Sequence, residues 1–348
     1  MTKIHLRNRI IGEGYPAYII AEMSANHAGD INIAKQIIHK AKEAGADCIK
    51  IQTYTPDTMT IKCDAECFHI NDGTWKGETL YDLYGKAYMP WEWQAELKEE
   101  AERSGLDFFS TPFDRTSVDF LESLGIEFYK IASFELVDIP LIKYVASKGK
   151  PMIISTGMGS FEEIKEAVEA VHSEGNKNLA LLKCSSAYPA IPDDMNLKTI
   201  QHMSKSFEVP VGLSDHSLGS IGAVTAVALG ACIIEKHFCL SRDIENPDSS
   251  FSMEPDEFKH MVDDIRTVEK AMGIVSYECS KKEQESVIFR RSIIAVKDIH
   301  KEEMFTEDNI RIIRPGYGLK PKYYHDVIGK HSVCDLKCGT PIQLKHVE

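Results

Sequence analysis

Two histidines 21 positions apart, His216 in "VGLSDHSLGS" and His237 in "CIIEKHF", each follow an apolar run. Two imidazoles with open positions beside them suit a divalent transition metal, manganese first, with magnesium or cobalt as alternatives. Asp248, in "ENPDSSFSM", offers a carboxylate as a further ligand or to orient a bound water. Read alone, "LSDHS" also fits an acid-histidine dyad that activates a serine. Lys50 and Lys130 lie inside apolar runs, where an ammonium needs an anionic partner. Glu22 and Glu135 are the plain candidates for that partner, and a substrate phosphate or carboxylate is the functional one. Hydroxyls at Thr111, Ser133, Ser155, Ser186 and Ser214 are neutral donors of the kind that surround an anion. An imine-forming aldolase would use a lysine without a metal, so chelation and borohydride trapping separate the two chemistries.

These residues recur at one kind of place. Eight short apolar runs, "AYIIAE", "DCIKIQT", "DFFST", "EFYKIAS", "PMIIST", "LALLKC", "VPVGLS" and "CIIEKHF", alternate with amphipathic stretches at 33–44, 91–104, 117–124, 140–147, 161–172, 197–206, 221–229 and 255–272. Eight alternations in about 270 residues predict a (β/α)8 TIM barrel, with a doubly wound open sheet as runner-up. Every run ends in polar residues, and a closed barrel gathers such ends at one mouth, where barrel enzymes place their chemistry. The pattern predicts an enzyme.

The barrel is assigned to 1–275. "SYECSKKEQES" reads as an aperiodic polar linker, 276–287, and 288–348 as a second small domain with the β-like runs "RRSIIAV" and "IRIIRP". The net charge of −13 argues against a nucleic-acid partner. No apolar run is long enough to span a bilayer, and "MTKIHLRNRI" lacks a signal-peptide core. The nine cysteines, an odd number, fit reduced thiols, and neither Cys63-x3-Cys67 nor Cys334-x3-Cys338 has zinc spacing. A cytoplasmic protein is expected.

The ordered stretches "IIAEMSANHAGD", "DCIKIQTYTPD", "FFSTPFD", "YKIASFE", "IISTGM", "LLKCSSAYP", "VGLSDHSLG", "IIEKHF" and "RPGYGL" resemble the sialic-acid synthase family of phosphoenolpyruvate-condensing enzymes. "SANHAGD", "KIQTYTPDTMT", "NDGTW" and "KIASFE" look most like its pseudaminic acid branch, and Ser186 stands where neuraminate synthases carry asparagine. The resemblance implies a barrel followed by an antifreeze-like (SAF) domain. It implies condensation of phosphoenolpyruvate with 2,4-diacetamido-2,4,6-trideoxy-L-altrose, with N-acetylneuraminic or legionaminic acid synthesis as alternatives. It further implies that His216 and His237 bind the cation and that Asp248 supports its water shell. Lys50, Lys130, Thr111, Ser133, Ser155 and Ser214 would hold phosphoenolpyruvate, and Glu22, Gln52, Ser186 and Tyr188 would meet the sugar. Glu135 or the cation is implied as the group that assists deprotonation of the water. Arg314, in "IIRPGYG", would reach the mouth of a partner barrel in a domain-swapped homodimer. A carbohydrate-binding or ice-binding protein accounts for the small domain alone and leaves the polar strand ends without a role.

Overall fold

The computed structural model describes residues 3–6 and 9–348; Met1, Thr2, Arg7 and Asn8, within the stretch read for a signal peptide, lie outside them. By contacts the chain divides into two units, Met1–Gly273 and Ile274–Glu348.

The first unit opens with an antiparallel pair, β1 (Lys3–Leu6) and β2 (Arg9–Gly12). Eight parallel strands follow: β3 (Tyr18–Glu22), β4 (Cys48–Thr53), β5 (Asp107–Pro112), β6 (Tyr129–Ile131), β7 (Met152–Ser155), β8 (Leu179–Cys184), β9 (Val211–Asp215) and β10 (Ile233–His237). They close in sequence order, with β10 paired to β3, so all eight expected runs are strands of one barrel and the open sheet is set aside.

Helices return the chain outside the barrel: α1 (Ile31–Glu43), α4 (Trp91–Arg103), α5 (Arg115–Ser123), α6 (Ile139–Ala146), α7 (Phe161–Ser173), α8 (Thr199–Phe207), α9 (Ile221–Ala228) and α10 (Pro255–Met272). Two short helices, α2 (Pro56–Met59) and α3 (Leu80–Ala87), interrupt the long β4–α4 connection. Several of the helices start where side chains satisfy their free N–H groups. Asp30 accepts from Asn32 N ahead of α1, and Ser160 and Glu163 form a capping box ahead of α7. In α1, Ala34, Ile37, Ile38 and Ala41 fall on one face at helical spacing and are all buried.

Two apolar layers result. The outer one lies between strands and helices and takes Ile19, Ile49, Ile131, Ile154, Leu181 and Ile234 from the strands. The inner one takes Tyr18, Ile20, Cys48, Phe109, Ile153 and Ile233 from the strand starts, together with Ile4, Leu6 and Ile11 of the β1–β2 pair. Alternation along each strand separates the two sets. The pair β1–β2 thus stops the end of the barrel at which the strands begin.

In the second unit β11 (Ser292–Ala295) pairs antiparallel with β12 (Ile310–Ile313) over a small core of Ile293, Phe305, Ile310, Leu336 and Ile342. Both β-like runs of the sequence are strands. The stretch read as an aperiodic connector is not wholly irregular: α11 (Lys281–Ser286) starts at a Ser280/Glu283 capping box. A last helix, α12, covers Tyr324–Val327. A Cβ on Gly318 would stand 2.5 Å from the Ile293 carbonyl oxygen, so "RPGYGLKP" needs glycine there to lie against β11.

Candidate active site

The alternation that sends Ile233 to the inner floor sends Glu235 and His237 inward above it, two residues at a time, about 6.6 Å per step. On β4 the same phase carries Cys48, Lys50 and Gln52; on β9, Ser214 and then His216. Thr111 follows Phe109, Lys130 follows Phe128, and Ser155 follows Ile153. The mouth therefore has a charged tier directly above the apolar floor and an imidazole tier above that.

The charged tier holds two ammoniums and two carboxylates. Lys50 Nζ is 2.6 Å from Glu22 Oε2 and 3.4 Å from Glu235 Oε1, and it donates to Thr111 Oγ1 at 3.3 Å. Lys130 Nζ is 3.3 Å from the same Glu235 oxygen, which also accepts from Ser214 Oγ at 3.3 Å. The expectation that Glu135 partners Lys130 is corrected: the partner is Glu235, because β6 and β10 face one another across the barrel interior while Glu135 lies on the turn beyond β6. Burial drives the Glu22 pKa up despite Lys50, whereas the two lysines overcome burial at Glu235 and hold it down. Burial lowers Lys130, and Glu22 with Glu235 outweigh burial to raise Lys50. Gln52 Nε2 donates to Glu22 Oε1 at 3.2 Å and to Ser24 Oγ at 3.0 Å, so its amide is anchored at the edge of this tier.

Above it the His216 and His237 rings lie 5.4 Å apart, centroid to centroid. His216 Nδ1 is 3.1 Å from the Ser185 carbonyl oxygen; burial lowers the His216 pKa, but Cys184 and that carbonyl outweigh burial and raise it, and in the neutral ring donation to the carbonyl leaves the Nε2 lone pair for a cation. His237 Nδ1 is buried without a hydrogen-bond partner, with Asp248 Oδ2 at 3.9 Å. Burial, and then His216, hold the His237 pKa well below the usual range, so it is a neutral imidazole. Asp248 Oδ2 accepts from Ala25 N at 3.1 Å, which ties the loop after β10 to the turn after β3. These three side chains have the donor chemistry for a divalent cation; among the described residues no three His, Cys, Asp or Glu side chains form a ready-made metal cluster.

The remaining hydroxyls divide. Ser155 Oγ is buried and lacks a partner, and Ser133 Oγ accepts from Gly157 N at 3.1 Å. A Cβ on Gly157 would meet Ser186 Oγ at 2.1 Å and Ser133 Oγ at 2.8 Å, so the backbone of the "TGM" turn runs between the two serines. Glu135 has a buried oxygen without a partner, and burial pushes its pKa up to about 7. Tyr188 stacks at 4.3 Å on His216. Arg314 belongs to the second unit and is solvent-exposed there.

Asp215 points away from the mouth. It pairs with the buried Lys236 at 2.8 Å and accepts from Ser217 N and Oγ, so it is a structural carboxylate under the β9 turn and no part of a dyad.

Four groups were not singled out from the sequence. Glu235 was visible only as a polar strand end, although Glu235-x-His237 already gave its inward phase. Cys184 lies 3.7 Å from His216 Nδ1; burial pushes its thiol up, but the charge and hydrogen bond of His216 outweigh burial and bring it down to about 6. Gly157 is the third. Trp75, in the β4–α4 connection, reaches Tyr188 and the Pro247 carbonyl.

Comparison with known proteins follows the same outline. The NeuB family matches residues 37–277 and the SAF domain 290–348. The chain is 46% identical over 326 residues to a pseudaminic acid synthase of Campylobacter jejuni, covering 94% of this chain and 95% of that one. It is 43% identical over 334 residues to the pseudaminic acid synthase of Helicobacter pylori, covering 96% and 98%. Among solved structures, an N-acetylneuraminic acid synthetase from Leptospira borgpetersenii, in complex with citrate, superposes with a TM-score of 0.74 at 34% identity, covering 82% of this chain and 95% of that one. With a closed eight-stranded barrel and this degree of identity along almost its whole length, the chain belongs to the NeuB family and carries a SAF domain at its C-terminal end.

Proposed function

We propose that the protein condenses phosphoenolpyruvate with 2,4-diacetamido-2,4,6-trideoxy-L-altrose to give pseudaminic acid and phosphate. The observation that carries this reading is the buried Lys50–Glu235–Lys130 bridge beneath two imidazoles, in a chain 46% identical to a pseudaminic acid synthase. Lys50, Lys130, Thr111, Ser155 and Ser214 would face the phosphate and carboxylate.

His216 and His237 would hold a divalent cation, manganese in the first instance, with Asp248 orienting its water. When bound, such an ion supplies Lewis acidity toward the aldehyde oxygen. His216 is directed for this by the Ser185 carbonyl, and His237 by its uncharged state. The lysines and hydroxyls fix the phosphoenolpyruvate so that its methylene carbon faces the aldehyde carbon; the new C–C bond forms between them as the aldehyde π pair moves onto its oxygen, which becomes the new hydroxyl by taking up a proton that the attacking water releases. The enol carbon then becomes cationic and takes up water. Glu135, with a pKa of about 7, is half deprotonated at neutral pH and takes the water's proton. The tetrahedral adduct collapses by breaking its C–O bond to phosphate, which leaves the 2-keto acid.

The SAF unit suggests a homodimer in which Arg314 of one subunit serves the mouth of the other, as family resemblance implies. The decisive experiment offers the purified protein phosphoenolpyruvate with each of three acceptors: the altrose derivative, its legionaminic counterpart and N-acetylmannosamine. Phosphate release that requires the altrose derivative supports the assignment; release with only another acceptor reassigns the branch, and release with none rejects the function.

A further inference from the structure

The β4–α4 connection, residues 54–90, is long for a barrel loop and lies across the mouth. Two of its side chains grip loops from distant strands. Thr74 Oγ1 donates to the Tyr188 carbonyl at 2.8 Å, after β8, and Trp75 Nε1 donates to the Pro247 carbonyl at 2.9 Å, beside Asp248 after β10. The Trp75 ring lies 5.6 Å from Tyr188 and 6.5 Å from Phe251. Tyr188 in turn packs 4.3 Å from His216, and Phe251 packs 5.1 Å from His237. Three aromatic rings therefore form one flank of the imidazole tier, and Trp75 is half-buried with part of its surface free.

The two tiers ask for different ligands. The lysine tier below suits a small anion, whereas three aromatic rings have no charge to offer and suit the C–H face or methyl groups of a neutral molecule. We propose that Trp75 is a specificity-determining residue: its ring is the wall against which the apolar end of the acceptor sugar, its 6-deoxy methyl group, is packed. This rests on the proposed condensing activity and adds to it which end of the site discriminates among acceptors.

The test compares the wild type with Trp75→Ala, Trp75→Phe and Trp75→Leu, each checked by thermal unfolding. Trp75→Ala should raise the KM for the 6-deoxy sugar roughly tenfold, the size expected when apolar contact is lost in a pocket. It should also shrink the preference for that sugar over its 6-hydroxy analogue, with the phosphoenolpyruvate KM constant to within about twofold. Trp75→Phe and Trp75→Leu, which keep apolar bulk but lose the N–H, should retain most of the preference. If both KM values rise together, or if Trp75→Phe is as impaired as Trp75→Ala, Trp75 is only a latch on the Pro247 loop and the inference is overturned. A second measurement needs no turnover: saturation-transfer NMR with the sugar's reduced, unreactive alditol should show contact at the deoxy methyl in the wild type and lose it in Trp75→Ala. Alditol contact without phosphate release would reject the condensing function and keep the wall. Phosphate release with unchanged selectivity in Trp75→Ala would keep the function and reject the wall.

Discussion

Glu235 Oε1 stands 3.3 Å from Lys130 Nζ, and the same oxygen is 3.4 Å from Lys50 Nζ. One carboxylate oxygen therefore separates two ammoniums that are both almost wholly buried. Removing one partner of such a group leaves charge uncompensated in the interior. Glu235→Gln is expected to lower stability by about 3–5 kcal/mol, read by urea unfolding. Inorganic phosphate should raise the melting temperature of the variant more than that of the wild type. An unchanged unfolding curve would contradict the bridging role.

Glu135 should make stability depend on pH. Its pKa is pushed up to about 7 by burial from an ordinary 4.5, so between these values the native state keeps a proton that the unfolded chain has lost. Its contribution is therefore harmless below about 4.5, becomes a penalty that grows as pH rises from there to about 7, and is constant above that. Glu135→Gln is expected to gain stability on the order of 3 kcal/mol at pH 8 and to gain none near pH 4, measured by denaturant unfolding at both pH values. The acidic limb of the wild-type rate profile, centred near 7, should vanish with the carboxylate.

Much of this is legible in the sequence. The eight strands and eight outer helices follow from alternation, helped at α1, α5, α6 and α7 by side-chain caps, since each helix carries one buried stripe. Lys50, Lys130, His216 and His237 stood out because charge or imidazole inside apolar runs demands an explanation. The pairing of Lys130 with Glu235 did not, because it depends on which strands face one another across the interior, and linear order puts Glu135 nearer. Trp75 and Gly157 were hidden for a related reason: each matters through loops from other strands, at positions that no local period marks. The helix at Lys281–Ser286 did have a local sign, the Ser280-x-x-Glu283 spacing of a capping box, within a stretch whose charge suggested a plain linker.

Gly157 should tolerate no side chain. In Gly157→Ala the methyl group would stand 2.1 Å from Ser186 Oγ, which either displaces that serine or shifts the turn. A fall of about a hundredfold in kcat/KM is expected, about 2.7 kcal/mol in transition-state terms. Gly157→Ala combined with Ser186→Gly should recover part of the loss, because the nearest obstacle is gone; strict additivity of the two changes in a double-mutant cycle would show that the clash is not the cause.

Asp215 and His216, neighbours in the chain, should fail differently. Asp215→Asn breaks a buried pair with Lys236 and is expected to lower the melting temperature by several degrees while manganese affinity, measured by calorimetry, changes little. His216→Ala should lose the cation with a much smaller thermal effect. Chelation of the wild type should abolish turnover, and added manganese should restore it.

Arg314 offers a test of the proposed dimer. Arg314→Ala and His216→Ala subunits should each be inactive alone, yet a mixture allowed to exchange subunits should regain activity if each mouth draws its arginine from the other chain. Mixtures as inactive as their components would contradict the exchange of arginines between subunits, and an Arg314→Ala protein that is fully active alone would place Arg314 outside the reaction.

The hairpin of β1 and β2 has a kinetic side. With Ile4, Leu6 and Ile11 filling the end at which the strands begin, the barrel is a dead-end street with one door. Whatever rests on the lysines is parked behind whatever rests between the histidines and Trp75. Traffic through such a street keeps its order: the anion drives in ahead of the sugar, and a sugar that arrives early blocks the way. Initial-rate patterns should therefore show compulsory-order addition, with the acceptor inhibiting at high concentration when the anion is scarce.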